Sequence, residues 1–285
     1  MKNYGLNWEL EKLQESKEDW VFGAVSPVCL AEGLSELQRD VFLPKGEVQR
    51  GAEDTMDCAT RGPINILEIK FNYLVNNKVI SKRGFKFLYD NGYINRSNRI
   101  EFSDAFIAIK SGTTRNGNSM KAPLEAIRLY GLIPKSMLPL EKWMTFEDYH
   151  KEERITEEME DLGQEFRKHF NINYEKVYEK NLDELLERDI INMAGYAWDR
   201  PVNGEYLRSE NRPNHVFVGI RKPRTYIFDN YIDSVDGDFI KKLAPDYDFL
   251  DYGYRIIISE NKTGEVKQSW WEIIINFIKK LWQKN

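Results

Sequence analysis

From Asp57 onward the chain places apolar side chains at helical spacing, with Ile64, Leu67, Phe71, Leu74 and Val75 on one side, and closes on Asn76-Asn77-Lys78. This predicts a helix with Cys58 at its start. Pro63 falls in its second turn, where a missing N–H kinks the axis or moves the true start toward Arg61. A second helix is predicted from Lys121 to Tyr130, stopped by Gly131, with shorter ones in ELEKLQESKEDW and NLDELLERDI. The apolar cluster Phe102 to Ile109 leads into the Gly- and Asn-rich loop SGTTRNGNS. Between Trp143 and Phe170 acidic and basic residues crowd together, which reads as a solvated helix face.

Beyond that stretch the pattern changes to short apolar runs bounded by Gly, Pro or Asn: INMAGYAW, NHVFVGI, RTYIFDNYI and GYRIIIS. These predict strands. Helices first and strands second predict an α+β protein with segregated halves rather than a doubly wound one. The divisions expected are a lead-in over 1–43, a helical lobe over 44–142, a β-rich lobe over 143–262 and a C-terminal segment over 266–285. The last, SWWEIIINFIKKLWQKN, carries Trp270, Ile273, Ile274, Phe277, Ile278, Leu281 and Trp282 at helical spacing. An amphipathic helix follows, suited to the chain's own body, a protein assembly or a membrane surface.

Composition narrows the setting. The chain has 285 residues, a formal net charge of -5 and no basic cluster, so nucleic acid is not an expected partner. Its two cysteines, Cys29 and Cys58, cannot form a disulfide scaffold and point to a reducing compartment or to a lineage that never used disulfides. No signal peptide opens the chain, and no apolar run approaches the roughly 20 residues of a spanning helix. The expected setting is cytoplasmic or virion-associated, in a bacterial or phage protein.

Chemistry concentrates on a few residues. A cysteine at a helix N-terminus gains thiolate stabilisation from the helix, whereas Cys29 reads as core. Three histidines occur, His150, His169 and His215. His215 alone heads an apolar strand, while the other two sit in the charged stretch and read as surface. Asp229 or Asn230, at the end of the next strand, could orient the imidazole, and either could equally make a turn. Gln49, nine residues before Cys58, is a candidate oxyanion donor. Glu147, Asp148, His150 and Glu152 match no standard ligand spacing, so no metal is expected. Residues 112–119 have the spacing of a phosphate-binding loop but carry Asn118 where the lysine belongs, so no nucleotide or other cofactor is expected.

These segments, in this order, resemble the papain family of cysteine peptidases over residues 44 to 258. VQRGAEDTMDCATRGPINILE resembles the family's glutamine and nucleophile helix, with Glu68 ten residues after Cys58. EFSDAFIAIKSG and NGNSMKAPLEAIRLYGLIPKSMLP resemble its serine-glutamate helix and double-glycine loop. NHVFVGI, TYIFDNYI and DYGYRIII are similar to its histidine, asparagine and Gly-Tyr strands. The resemblance implies a two-lobed fold, one lobe helical and one β-barrel-like. It implies Cys58 as nucleophile, His215 as base and acid, Asp229 (or Asn230) as orienter and Gln49 on the oxyanion. Asn118 and Ser119 would line the substrate-backbone edge, and the substrate would be a peptide or protein, cut at a peptide or isopeptide bond. The competing reading keeps the fold without the activity, as a structural or binding module that could belong to a phage particle.

Overall fold

The computed structural model describes residues 5–14, 21, 30–31, 33–45, 48–199, 201–208, 212–232 and 239–261. Cys29 and the expected amphipathic helix over 266–285 lie outside the described residues. The helices are α1 (Trp8–Leu13), α2 (Glu36–Phe42), α3 (Cys58–Asn76), α4 (Lys82–Asp90), α5 (Asp104–Lys110), α6 (Lys121–Tyr130), α7 (Phe146–Tyr149), α8 (Glu157–His169) and α9 (Glu179–Leu186). The strands are β1 (Phe170–Tyr178), β2 (Ile191–Gly195), β3 (His215–Arg221), β4 (Tyr226–Phe228), β5 (Ile240–Lys242) and β6 (Phe249–Glu260).

The sheet runs in the order β1-β6-β2-β3-β4-β5 with every neighbouring pair antiparallel. The expected α+β arrangement is therefore present. Its β-rich part is an open sheet, not a barrel, with β1 and β5 at the edges. Helices make closure unnecessary, because they cover both faces. On one face lies α3; on the other α9 places Leu182, Leu185 and Leu186 against Ile191, Met193, Phe217 and Ile227. Strand β2, inside the sheet, is accordingly buried at every residue.

The helix predicted from Asp57 spans Cys58–Asn76, and of its 19 residues all but Tyr73 and Asn76 are buried. Pro63 lies inside it, so the expected later start at Arg61 does not occur: Thr60 and Arg61 both donate to the Asp57 carbonyl, at 2.8 and 2.9 Å. The preceding glycine explains the tolerance of this awkward dipeptide. A Cβ on Gly62 would stand 2.2 Å from Asn192 Oδ1 and 3.1 Å from Val216 Cγ1, so α3 crosses β2 and β3 there at backbone contact distance. Farther along, Phe71 meets Phe102, Phe166 and Phe170 at ring-centroid distances of 5.4, 5.7 and 5.1 Å. That cluster ties α3 to α8 and β1. The charged residues of α8 face solvent while Met159, Gly163 and Phe166 are buried, as expected of an amphipathic helix.

Helix and sheet are also joined by buried charge. Lys70 of α3 reaches Asp189 Oδ1 at 2.7 Å and the Ile256 carbonyl at 2.6 Å, and Arg255 Nε reaches Asp189 Oδ2 at 2.9 Å. Asp189 thus stands between two cations with both oxygens used. Removing one member of such a group leaves charge in an apolar interior. Asp189→Ala is expected to cost about 3–5 kcal/mol, read as a lower urea midpoint with an unchanged slope.

Candidate active site

The approach to α3 is held by a buried carboxylate. Asp57 accepts from Thr55 Oγ1 at 2.5 Å, Arg61 Nε at 3.0 Å and Tyr149 OH at 2.7 Å, and Arg61 continues to Asp104 at 3.1 Å. Burial pushes the Asp57 carboxyl up; Arg61, then Thr55 and Tyr149, overcome that and hold it below the ordinary range. This lattice fixes the residue ahead of Cys58 and so aims the first turn of the helix.

Cys58 is 0% exposed, and its Sγ accepts the backbone N–H of Val216 at 3.4 Å. The thiol therefore sits at the first peptide after His215. Burial pushes it well above the usual thiol range; the Val216 N–H opposes the rise, and the charges of Asp57, Asp54 and Asp229 add to it. In this arrangement the group is a thiol.

His215 opens β3, 1% exposed, with Nε2 at 2.7 Å from Asp229 Oδ1. A carboxylate can only accept, so Nε2 carries the proton and Nδ1 is the nitrogen able to take one up. Trp198 and Tyr231 pack on the ring at centroid distances of 5.2 and 5.3 Å. Asp229 Oδ1 also accepts the Asn230 N–H at 2.8 Å, and its Oδ2 faces Lys241 Nζ at 3.1 Å. Burial raises the Asp229 carboxyl, but Lys241 first and His215 next outweigh it, leaving it below the ordinary range.

Of the sequence candidates, His215 and Asp229 are in direct contact, and Cys58 Sγ bonds the peptide N–H that follows His215. Asn230 is not the partner of the imidazole: its Oδ1 accepts from Asn65 Nδ2 at 2.9 Å, because the next residue along the chain turns to α3. Gln49 donates to Asp54 Oδ1 at 3.2 Å and Tyr231 OH at 2.9 Å, so its amide nitrogen is engaged by the loop ahead of Cys58 and by the segment after β4. Asn118 turns its side chain into its own loop, onto Ser111 and Thr113, and Ser119 Oγ accepts the Ala122 N–H at 3.1 Å. Nor are the other histidines plain surface residues. His150 is half-buried with Nε2 at 2.9 Å from the Thr55 carbonyl, and His169 stacks on Phe87 at 4.1 Å.

One feature escaped the sequence reading altogether. Residues 5–7 run over the site as a strap: Asn118 N–H donates to the Gly5 carbonyl at 2.9 Å and Asn7 N–H to the Asn118 carbonyl at 2.8 Å. Leu6 N–H completes it, reaching the carbonyl of Asn214, directly before His215, at 3.3 Å. Gly5 lies so close that a Cβ there would meet the Met56 carbonyl at 2.6 Å and Cys58 Sγ at 3.0 Å. Asn118, expected on the substrate-backbone edge, thus meets residues 5–7 through its own backbone.

No protein-family model matches the chain, and no curated protein matches it significantly. Among solved structures it is similar to xylellain, a cysteine protease from Xylella fastidiosa, with 12% identity and a TM-score of 0.48 over 86% of this chain and 92% of that one. It is also similar to the ragweed cysteine protease Amb a 11 in its proform, with 10% identity and a TM-score of 0.49 over 90% and 75%. A structure from work on the mite allergens Blo t 1 and Der p 1 matches at 13% identity and a TM-score of 0.46 over 89% and 78%.

Two outcomes follow from these environments. Iodoacetamide should alkylate Cys58 in the folded chain far more slowly than in urea, with a rate that climbs only above the ordinary thiol range. Asp57 and Asp229, with folded values below their unfolded ones, contribute stability that is complete above about pH 4 and is lost as pH falls through the folded values. Asp229→Asn is therefore expected to shrink the loss of stability on acidification below about pH 4, measured by urea unfolding across that range.

Proposed function

We propose that the chain is a papain-like cysteine peptidase, held with its cleft filled by its own N-terminal strap. The supporting observation is a buried thiol that accepts the N–H of the residue directly after His215, whose own Nε2 is held by the Asp229 carboxylate. In the working cycle Cys58 Sγ gives its proton to His215 Nδ1 and attacks the scissile carbonyl, forming an S–C bond. The C–N bond then breaks, and His215 returns the proton to the leaving amine. Water attacks the thioester with His215 as base, releasing the acid and restoring the thiol. Asp229 keeps the ring in the Nε2–H tautomer through both halves. The Cys58 N–H, at the start of α3, supports the oxyanion, with Gln49 as second donor once it leaves Asp54 and Tyr231.

A second reading has its own supporting observation: Cys58 is fully buried under Gly5, as a residue of a non-catalytic binding module would be. The two readings differ in what happens when the strap leaves. If the site is catalytic, loss of cover removes the main cause of the raised thiol and the cysteine becomes reactive.

Gly5→Val tests this, because a side chain at φ +102°, against Met56 and Cys58, cannot keep the strap seated. A vinyl-sulfone probe should label the variant at least about tenfold faster than the native chain, and Gly5→Val/His215→Ala should lose that gain. Labelling of Gly5→Val no faster than the double variant would sink the peptidase reading and favour the binding module.

A further inference from the structure

Strand β5 carries a lysine that points inward. Lys241 is 3% exposed, between the half-buried Ile240 and the exposed Lys242, and lies opposite Ile227 in the β4–β5 ladder. Its Nζ stands 3.1 Å from Asp229 Oδ2 and donates to the Tyr231 carbonyl. The rings of Trp198 and Tyr206 lie beneath it at 5.9 and 5.8 Å. A buried ammonium is costly without partners. This one is aimed at the oxygen of Asp229 that His215 does not use.

Resting on the peptidase reading, we infer that Lys241 is a positioning residue of the reaction. It neutralises Asp229, so that His215 is oriented by an ion pair of zero net charge instead of by a bare carboxylate.

The reason lies in what a general base needs. His215 must be neutral to take the Cys58 proton and cationic to protonate the leaving amine, so its two states must stay close in free energy near working pH. A bare buried carboxylate on Nε2 favours the cation, which keeps the ring from accepting a proton. Among the described residues the other charges nearby do not correct this. Asp57 is neutralised by Arg61, Asp54 is a second anion bonded to Tyr231, and Tyr231, Tyr247 and Cys58 are all pushed toward their neutral forms, chiefly by burial. Lys241 is the cation that meets Asp229. The pair orients the ring as a neutral amide would, while keeping an acceptor on Nε2. An inward lysine on an edge strand can also discourage further strand pairing. That role alone would leave the titration of His215 unmoved.

The test uses the full chain and two readouts. In Lys241→Met and Lys241→Gln, the His215 ring resonances should titrate at higher pH than in the native chain, an effect visible by NMR with or without turnover. In the Gly5→Val background, the acidic limb of kcat/KM should move up by about one pH unit and kcat should fall about tenfold near neutrality, with KM little changed. Lys241→Arg should stay near native. Asp229→Asn/Lys241→Met, which removes both charges together, should recover most of the loss and should fold even if the single variants do not. An unshifted His215 titration in the single variants, or a double variant no better than Lys241→Met, would overturn the inference. If probe and peptide never react while His215 still titrates higher without Lys241, the peptidase reading has failed and the electrostatic coupling stands.

Discussion

The structure depends on burying one helix on all sides. α3 carries Arg61, Asn65, Glu68, Lys70 and Asn72 into an interior where each must find a partner, and the surrounding chain is arranged to supply one. Asn72 exchanges two hydrogen bonds with the backbone of Ile100, at 2.8 and 3.0 Å, and Glu68 accepts the Phe102 N–H at 2.7 Å. Asn65 holds Asn230, and Lys70 reaches the sheet through Asp189 and Ile256. Apolar burial would hold the helix anywhere along a greasy face. The polar residues give it one register and one rotation, and with them the position of Cys58 at its tip.

Around that tip, charge is arranged in neutral sets. Asp57 with Arg61 lies on the helical side, and Asp229 with Lys241 and His215 on the sheet side. Each carboxylate is kept ionised in the interior by a cation within 3.1 Å, as burial requires. The thiol lies between them, accepts a single backbone N–H and is roofed by Gly5. Burial is the largest cause of its raised thiol, ahead of the nearby carboxylates.

Much of this was legible in the chain. The apolar spacing from Ile64 to Val75 marked α3, and a polar residue heading an apolar strand marked His215. Asp229 and Asn230 were less legible, because both lie just past the end of β4, where strand alternation no longer fixes which side chain meets the ring. What could not be read were contacts between distant segments. Lys241 sits in a three-residue strand whose inward face is set by pairing with β4, and nothing local distinguishes it from Lys242. β1 carries no clear local signal because Asn171, Asn173, Glu175 and Lys176 dilute its apolar residues, although Glu175 and Lys176 are buried. Pro63 misled in the opposite sense: its cost suggested a later helix start, yet packing of Gly62 on Asn192 and Val216 keeps the first turn in place.

The strap has a consequence in the arithmetic of competition. Backbone hydrogen bonds to Asn118 and Asn214 hold residues 5–7 over the thiol, the kind of short contact that two separate molecules scarcely sustain. Being part of the same chain changes the comparison, because a tethered segment acts at an effective concentration of order millimolar. A dilute free peptide loses to it even when its intrinsic contacts are better. An occupant that engages the surface beyond the strap at the same time does not. On the peptidase reading proposed above, the site thereby discriminates by the extent of what approaches it, ahead of any preference for a side chain.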